Sequence, residues 1–124
     1  MSAVIPDPDT FKAFAAAAEQ DEGPVVMLNL LKFKEGGGAL EYATYGGLVR
    51  KMIEEAGGRV AYAGRVDQIL VGETGDWDAI ALAEYPNRKA FLEMVSSADY
   101  LQAAEHREAG LEDTVLMATT PAGP

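Results

Sequence analysis

Residues 24–33, PVVMLNLLKF, form the most apolar run of the chain, and they decide how the rest is arranged. Gly23 precedes the run and the glycines of residues 36–38 follow it closely, so the pattern predicts a β-strand over residues 24–33 that is buried on both faces. Side chains along a strand alternate between its two faces. Asn29 therefore lies in the middle of an otherwise apolar face, and Lys32 lies on the opposite face.

The composition favours a soluble, single-domain protein. The chain has 124 residues, and its 10 basic and 20 acidic side chains give a formal net charge of −10. This acidity argues against binding to nucleic acid or to anionic membranes, because both need clustered Lys and Arg. Cysteine is absent, which excludes disulfides and thiolate chemistry. The N-terminus lacks the features of a signal peptide and no apolar stretch is long enough to span a bilayer, so we expect a cytoplasmic protein.

The remaining periodicities predict an ordered series of helices and strands. A short helix over residues 8–20, capped by Asp7 or Asp9, precedes the first strand. Asn87 is the expected N-cap of a later helix, and Ser96-Ser97 interrupts that helix and caps a second piece. The glycine inside the second strand, Gly64, suggests a bulge or a bend. The other predicted elements are a helix over 39–56, strands over 59–71 and 77–85, a helical piece over 98–109 and a strand over 115–119.

This order corresponds to the ferredoxin-like βαββαβ pattern, an α+β fold with a four-stranded antiparallel sheet and helices on one face. The strands are apolar on both sides, and the short N-terminal helix is too small to cover the second face of the sheet. We therefore expect a homodimer in which two sheets pack face to face. The expected division is an N-terminal extension over residues 1–23, a ferredoxin-like domain over 24–120 and a tail over 121–124.

Several stretches resemble the DUF1330 family over residues 24–119. They are VVMLNLLKF (25–33), YATY (42–45), GGRVAYAGRV (57–66), the pair Trp77-Asp78 and EYPNRKAFLEMVSSADYLQAAEHREAGLEDT (84–114). That family is similar in fold to the dimeric α/β barrel proteins, which include small monooxygenases and isomerases. The resemblance implies a site between each sheet and its helices, or inside a barrel shared by two protomers. The positions that match the recurring polar motifs of the family are Asn29, Lys32, Tyr62, Arg65 and His106.

Three of these residues are candidates for catalysis. Asn29 needs hydrogen-bond partners inside a sheet, so it either bonds to neighbouring backbone or Tyr45, or faces a pocket and orients a ligand oxygen. Arg65 follows a run of small side chains and either holds a carboxylate or forms a salt bridge. His106, the single histidine, is either a general base or haem ligand, or a solvent-exposed residue at the edge of its helix. On a helical wheel Arg107 lies nearer the apolar face than His106.

Aromatic side chains are candidates for contact with a ligand. Tyr42, Tyr45, Tyr62 and Trp77 can line an apolar pocket, although aromatic residues at helical spacing are more often part of a core. No pattern typical of a metal site or of a nucleophilic triad is present, and we expect no cofactor.

These observations leave three hypotheses open. The first is a cofactor-independent enzyme, monooxygenase- or isomerase-like, in which Asn29 and Arg65 polarise an oxygen and His106 transfers a proton. The second is a non-catalytic homodimer that binds a small molecule in the same cavity. The third is a dimer with a filled interior that acts through another partner.

Overall fold

The computed structural model describes residues 7–73 and 75–122. In this part of the chain the elements follow the predicted order, with one helix ahead of the βαββαβ series and the second helix of the series divided into two pieces. Their bounds are α1 Pro8–Ala18, β1 Val25–Phe33, α2 Gly38–Glu55, β2 Arg59–Arg65, β3 Ala79–Tyr85, α3 Arg88–Val95, α4 Ala98–Gly110 and β4 Leu111–Thr119.

The four strands form one antiparallel sheet in the order β2-β3-β1-β4. β1 lies between β3 and β4, which explains why it is the most apolar strand. One face of β1 packs under the helices, where Val25 and Met27 are buried in the main core. Asn29 lies on this same face, as the alternation predicts.

Polar side chains cap the N-termini of α1, α3 and α4, as expected. The Asp7 carboxylate accepts a hydrogen bond from the Thr10 amide, and the Asn87 side chain accepts one from the Ala90 amide. Ser97 Oγ accepts the Tyr100 amide at the start of α4. The predicted caps at Asp7, Asn87 and Ser97 are thus confirmed, because short polar side chains satisfy amides that have no partner within the helix.

The N-terminal helix packs on α3 through aromatic contacts. The rings of Phe14 and Phe91 meet edge to face with centroids 5.6 Å apart. The Arg88 guanidinium lies over the Phe14 ring and forms an ion pair with Asp21 at 3.7 Å. α1 is therefore attached to the body of the protein by apolar and cation–π contacts.

The strands of the β2–β3 hairpin are shorter than predicted. The strand expected over residues 59–71 ends at Arg65, and the one expected from residue 77 begins at Ala79. The Val66 amide still bonds to the Asp78 carbonyl, but the Asp78 amide bonds to Leu31 of β1 and its carboxylate accepts the Phe33 amide. Asp78 is thus bonded to both neighbours, and β2 itself ends one residue before Val66, at Arg65. The following loop exposes Leu70 and Val71.

The bulge in β2 lies at Ala61, not at Gly64. Val60 is opposite Ala83 and Tyr62 is opposite Leu82, so Ala61 is the extra residue. A side chain at Gly64 would collide with the Tyr62 ring, which lies across it. Gly64 therefore makes room for Tyr62 and pairs regularly with Ile80.

The ends of α2 and α4 meet through two glycines. A Cβ at Gly38 would lie 2.6 Å from the Gly110 carbonyl oxygen, and a Cβ at Gly110 would lie 2.5 Å from that of Gly38. Only glycine permits this approach of two backbones. It also explains why β4 begins at Leu111 and not at the predicted residue 115, since the chain enters the sheet directly after the contact.

The outer face of the sheet carries a continuous apolar surface. Strand pairing places Tyr62 beside Leu82, Leu82 beside Leu28 and Leu28 beside Met117. Tyr62 is 55% exposed and Met117 is 43% exposed, and no described element covers this face. A second row parallel to it contains Gly64, Ile80, Leu30 and Val115.

None of the helices in residues 7–73 and 75–122 has the length and apolar character needed to cross a membrane.

Candidate functional site

A cavity of about 500 Å³ lies between the inner face of the sheet and the helices. This volume is within the range of small-molecule sites in proteins. The sheet contributes a row of residues across β2, β3, β1 and β4, namely Ala63, Ala81, Asn29 and Leu116. The two alanines leave open space on one side of Asn29.

The cavity opens to solvent beside α2 and α4. Among its lining residues Gly47, Arg50, Leu101 and Glu108 are exposed, as are Ala63 and Leu116 at the two ends of the sheet row, whereas Tyr45 and Met27 are buried. The mouth therefore carries charged groups, and the interior consists mostly of aliphatic and aromatic side chains.

Two glycines in α2 leave part of this space empty. Gly46 and Gly47 line the cavity, and no atom outside the helix lies within 4 Å of the position that a Cβ would take at either residue. No neighbouring backbone fills the gap at these two positions. Their absent side chains instead widen the cavity near its mouth.

Asn29 is held by backbone carbonyls and faces the cavity. Its Nδ2 donates to the Met27 carbonyl at 3.4 Å and to the Ala81 carbonyl at 3.3 Å. Turning the amide over would bring its oxygen against these two carbonyl oxygens, which repel it. The hydrogen bonds therefore fix the orientation of the amide and leave Oδ1 as an acceptor. Asn29 thus bonds to neighbouring backbone and also lines the cavity, and its contact with a ligand stays a prediction.

Tyrosine hydroxyls form the polar part of the helical wall. The hydroxyls of Tyr45 and Tyr100 lie 2.9 Å apart, and their rings meet edge to face at 6.1 Å. Tyr42, one turn before Tyr45, has its ring centroid 5.2 Å from that of Tyr45. Tyr85 lines the same cavity from the end of β3.

Burial keeps the phenols of Tyr42 and Tyr45 protonated. Loss of solvation raises the pKa of Tyr42 to about 12, and the same cause raises the pKa of Tyr45 well above its ordinary value. The positive charge of Arg107 acts in the opposite direction on both pKa values but is the weaker influence. Near neutral pH the phenols are thus hydrogen-bonding groups and not bases.

The structure brings three of the candidate residues together in the cavity: Asn29, Tyr42 and Tyr45. Arg65 does not line it, and its highly exposed guanidinium bonds to Asp67 at 3.1 Å. His106 lies between α4 and α2 outside the cavity, with Nδ1 at 2.9 Å from a Glu41 carboxylate oxygen.

The two remaining aromatic candidates also lie elsewhere. Tyr62 is on the outer face of the sheet, because the bulge at Ala61 reverses its direction relative to Val60. Trp77 is partly buried in the loop before β3 and is not among the cavity residues.

Several cavity residues were not chosen from the sequence. Tyr85, Tyr100, Arg107 and Glu108 contribute polar groups to the cavity. The helical wheel gave one usable signal, since it placed Arg107 nearer the apolar face than His106. Tyr85 carried no such signal, because its position depends on how β3 packs under α3.

Within the described residues, no group of three or more His, Asp or Glu side chains is arranged to hold a metal ion.

Comparison with known proteins identifies relatives of the whole chain. RPA0582, a protein of unknown function from Rhodopseudomonas palustris, is 34% identical, with a TM-score of 0.90 and complete coverage of both chains. A dimeric ferredoxin-like protein of unknown function from Jannaschia sp. CCS1 has a TM-score of 0.64 at 10% identity, covering 80% of this chain and 100% of its own. The hydroxynitrile lyase from Passiflora edulis also has a TM-score of 0.64 at 13% identity, covering 83% and 99%. The last two similarities show the ferredoxin-like fold alone.

A search of curated proteins finds no match. The model of the domain of unknown function DUF1330 matches residues 38–120, which include α2, the whole β2–β3 hairpin, α3, α4 and β4. The match covers most of the chain, and the resemblance noted from the sequence is thus confirmed. The chain belongs to the DUF1330 family.

Proposed function

We propose that this protein is a cytoplasmic homodimer in which each protomer binds a small, largely apolar compound between its sheet and its helices. The observation that carries the proposal is the cavity of about 500 Å³, which is open at one side and walled by tyrosines and small side chains. A ligand that fills it would bury apolar surface against Met27, Tyr45 and Tyr85 and would meet a few fixed polar groups.

The outer face of the sheet supports the homodimer. Its apolar rows would remain in water in a monomer, which is unfavourable for a surface of this kind. A second copy supplies a surface of the same shape and character, as in a two-fold symmetric interface. The Jannaschia protein, similar in fold, is named as dimeric.

A second candidate function is catalysis without a cofactor. It is favoured by the hydrogen-bonded pair of Tyr45 and Tyr100 at the cavity wall. A protonated phenol in an apolar site can donate a proton or stabilise a developing oxyanion. In this scheme the tyrosines, together with Asn29, would contact the reacting compound.

Binding is tested by equilibrium dialysis of the purified protein against naphthalene and 2-naphthol. The blocking variant Gly46→Leu places a side chain in the cavity, and Ala43→Leu adds the same side chain to α2 at an exposed position that does not line it. We expect binding to the native protein and to Ala43→Leu, and at least a tenfold loss in Gly46→Leu, an effect of about 1.4 kcal/mol or more. Equal binding to both variants would locate the ligand elsewhere.

A further inference from the structure

Asn29 limits the chemistry of the compound that the cavity accepts. Its two Nδ2 hydrogens are directed to the carbonyls of Met27 and Ala81, which lie on two neighbouring strands. The remaining polar atom, Oδ1, can only accept a hydrogen bond. Within residues 7–73 and 75–122 no donor is bonded to this oxygen, although Asn29 lines the cavity.

We infer that the ligand is a neutral compound with an apolar, aromatic body and a hydroxyl or N–H group that donates a hydrogen bond to Asn29 Oδ1. This inference rests on the proposed binding function and specifies the ligand of the same site. A ligand without a donor would leave the amide oxygen without this hydrogen bond and would therefore bind more weakly.

An anionic group is disfavoured at this position. A carboxylate or phenolate oxygen beside Oδ1 would place two acceptors in contact with no hydrogen between them, which is unfavourable in a largely apolar cavity. Two arginines line the cavity and could compensate the negative charge of a ligand. Both, Arg50 and Arg107, lie on the helical side of the cavity. The sheet neighbours of Asn29 in the same row are Ala81 and Leu116, which carry no charge.

The aromatic body follows from the walls of the cavity. Tyr42, Tyr45, Tyr100, Tyr85 and Phe91 line it, and several of these rings already meet edge to face. A flat ring can pack against such walls with favourable offset or edge contacts. The small residues Ala63 and Ala81 leave the space beside Asn29 for the polar end of that ring.

Three probes of similar size separate the possibilities: 2-naphthol, which has a donor; 2-methoxynaphthalene, which lacks one; and 2-naphthoate, which is anionic at neutral pH. Dissociation constants are measured by equilibrium dialysis for the native protein and for Asn29→Leu. We expect the native protein to bind 2-naphthol about fivefold to tenfold more tightly than 2-methoxynaphthalene, the range of one net hydrogen bond. In Asn29→Leu the preference disappears while 2-methoxynaphthalene still binds, which shows that the cavity is intact.

The other outcomes overturn the inference in distinguishable ways. Equal affinities for 2-naphthol and 2-methoxynaphthalene, or a preference that survives in Asn29→Leu, would remove Asn29 as the selective group and leave the binding function standing. Tightest binding of 2-naphthoate would indicate an acidic ligand held from the helical side. No binding of any probe by the native protein would overturn both the inference and the proposed function, and this comparison does not depend on the variant.

Discussion

The hydroxyl of Tyr45 on α2 lies 2.9 Å from the hydroxyl of Tyr100 on α4, and this hydrogen bond joins the two helices beside the cavity. One hydroxyl donates and the other accepts, so a single free hydrogen remains for a ligand or for water. Tyr100 is itself positioned by Ser97, whose side chain accepts the Tyr100 amide. The break between α3 and α4 therefore helps to place the pair.

Removing either hydroxyl should weaken the fold. Tyr45→Phe and Tyr100→Phe each leave one hydroxyl without its partner, so we expect each to lower the free energy of unfolding by about 1 kcal/mol. The double variant should cost less than the sum of the two, because it leaves no orphaned group. Urea unfolding at constant protein concentration gives the free energy of unfolding of the native protein, the two single variants and the double variant. Strictly additive losses would show that the two hydroxyls do not stabilise each other.

The buried tyrosines predict a loss of stability at alkaline pH. The pKa of Tyr42 is about 12 in the folded protein against about 10 for an exposed tyrosine. Between these values the folded state holds a proton that the unfolded state has released. The contribution of protonated Tyr42 to the free energy of unfolding is therefore complete below pH 10. It is lost as the pH rises towards 12, at up to about 1.4 kcal/mol per pH unit.

Unfolding by urea at several values between pH 9 and pH 12 tests this dependence. Tyr42→Phe should reduce the slope by the contribution of one proton, because phenylalanine does not titrate. A slope that is the same in the variant and in the native protein would mean that Tyr42 ionises equally well in the folded state.

Filling the space at Gly46 should stabilise the protein and impair ligand binding. Glycine inside a helix costs about 1 kcal/mol relative to alanine, and a Cβ at Gly46 meets no other atom within 4 Å. Gly46→Ala should thus raise the free energy of unfolding by about 0.5–1 kcal/mol. The same methyl group narrows the cavity, so 2-naphthol should bind more weakly. A stabilised variant with unchanged binding would show that this part of the cavity is not used.

At Gly38, in contrast, we expect substitution by alanine to destabilise the protein. Gly38→Ala would place a Cβ 2.6 Å from the Gly110 carbonyl oxygen, so the two helix ends must move apart. Overpacking of this kind costs about 1–3 kcal/mol. Thermal unfolding of Gly38→Ala and Gly46→Ala compares the same substitution at two positions of one helix. We expect Gly38→Ala to lower the stability and Gly46→Ala to raise it. A stabilised Gly38→Ala would contradict the close approach of the two backbones.

Two neighbouring residues of β4 test the homodimer. Leu116 and Met117 are exposed to a similar degree, 41% and 43%, but Leu116 lies on the inner face and Met117 on the outer face. Met117→Lys should convert the dimer into a monomer, because it places two symmetry-related charges in an apolar interface. Leu116→Lys should remain dimeric. Light scattering coupled to gel filtration gives the mass, and a monomeric native protein would exclude the interface.

The parts of the fold that depend on local chemistry could be predicted. The apolar run of β1 and the caps at Asp7, Asn87 and Ser97 require only neighbouring residues, and all were expected. The end of β2 could not, because it depends on where its pairing with β3 stops, at Arg65 and Ala79, and not on local residue types. The bulge was placed at Gly64 because glycine is common in bulges, whereas that glycine accommodates Tyr62.

In the candidate site, too, the features that depend on residues distant in the chain could not be predicted. The alternation in β1 correctly put Asn29 on the same face as Val25 and Met27, but the direction of its amide depends on Ala81 of another strand. His106 attracted attention because it is the single histidine, yet its contact is Glu41 on the neighbouring helix. Residue type alone could not show that the next residue, Arg107, lines the cavity and that His106 does not.

The contact between Gly38 and Gly110 also has a mechanical consequence for the cavity. It joins the first residue of α2 to the last residue of α4, so two antiparallel helices are fixed together at one end. Further along, the Tyr45–Tyr100 hydrogen bond holds them beside the cavity. A slight rotation of one helix about its glycine end becomes a larger displacement at the tyrosines, in proportion to the distance along the helix. A movement that widens the space between the two helices would therefore stretch the Tyr45–Tyr100 hydrogen bond before it separates the two glycines.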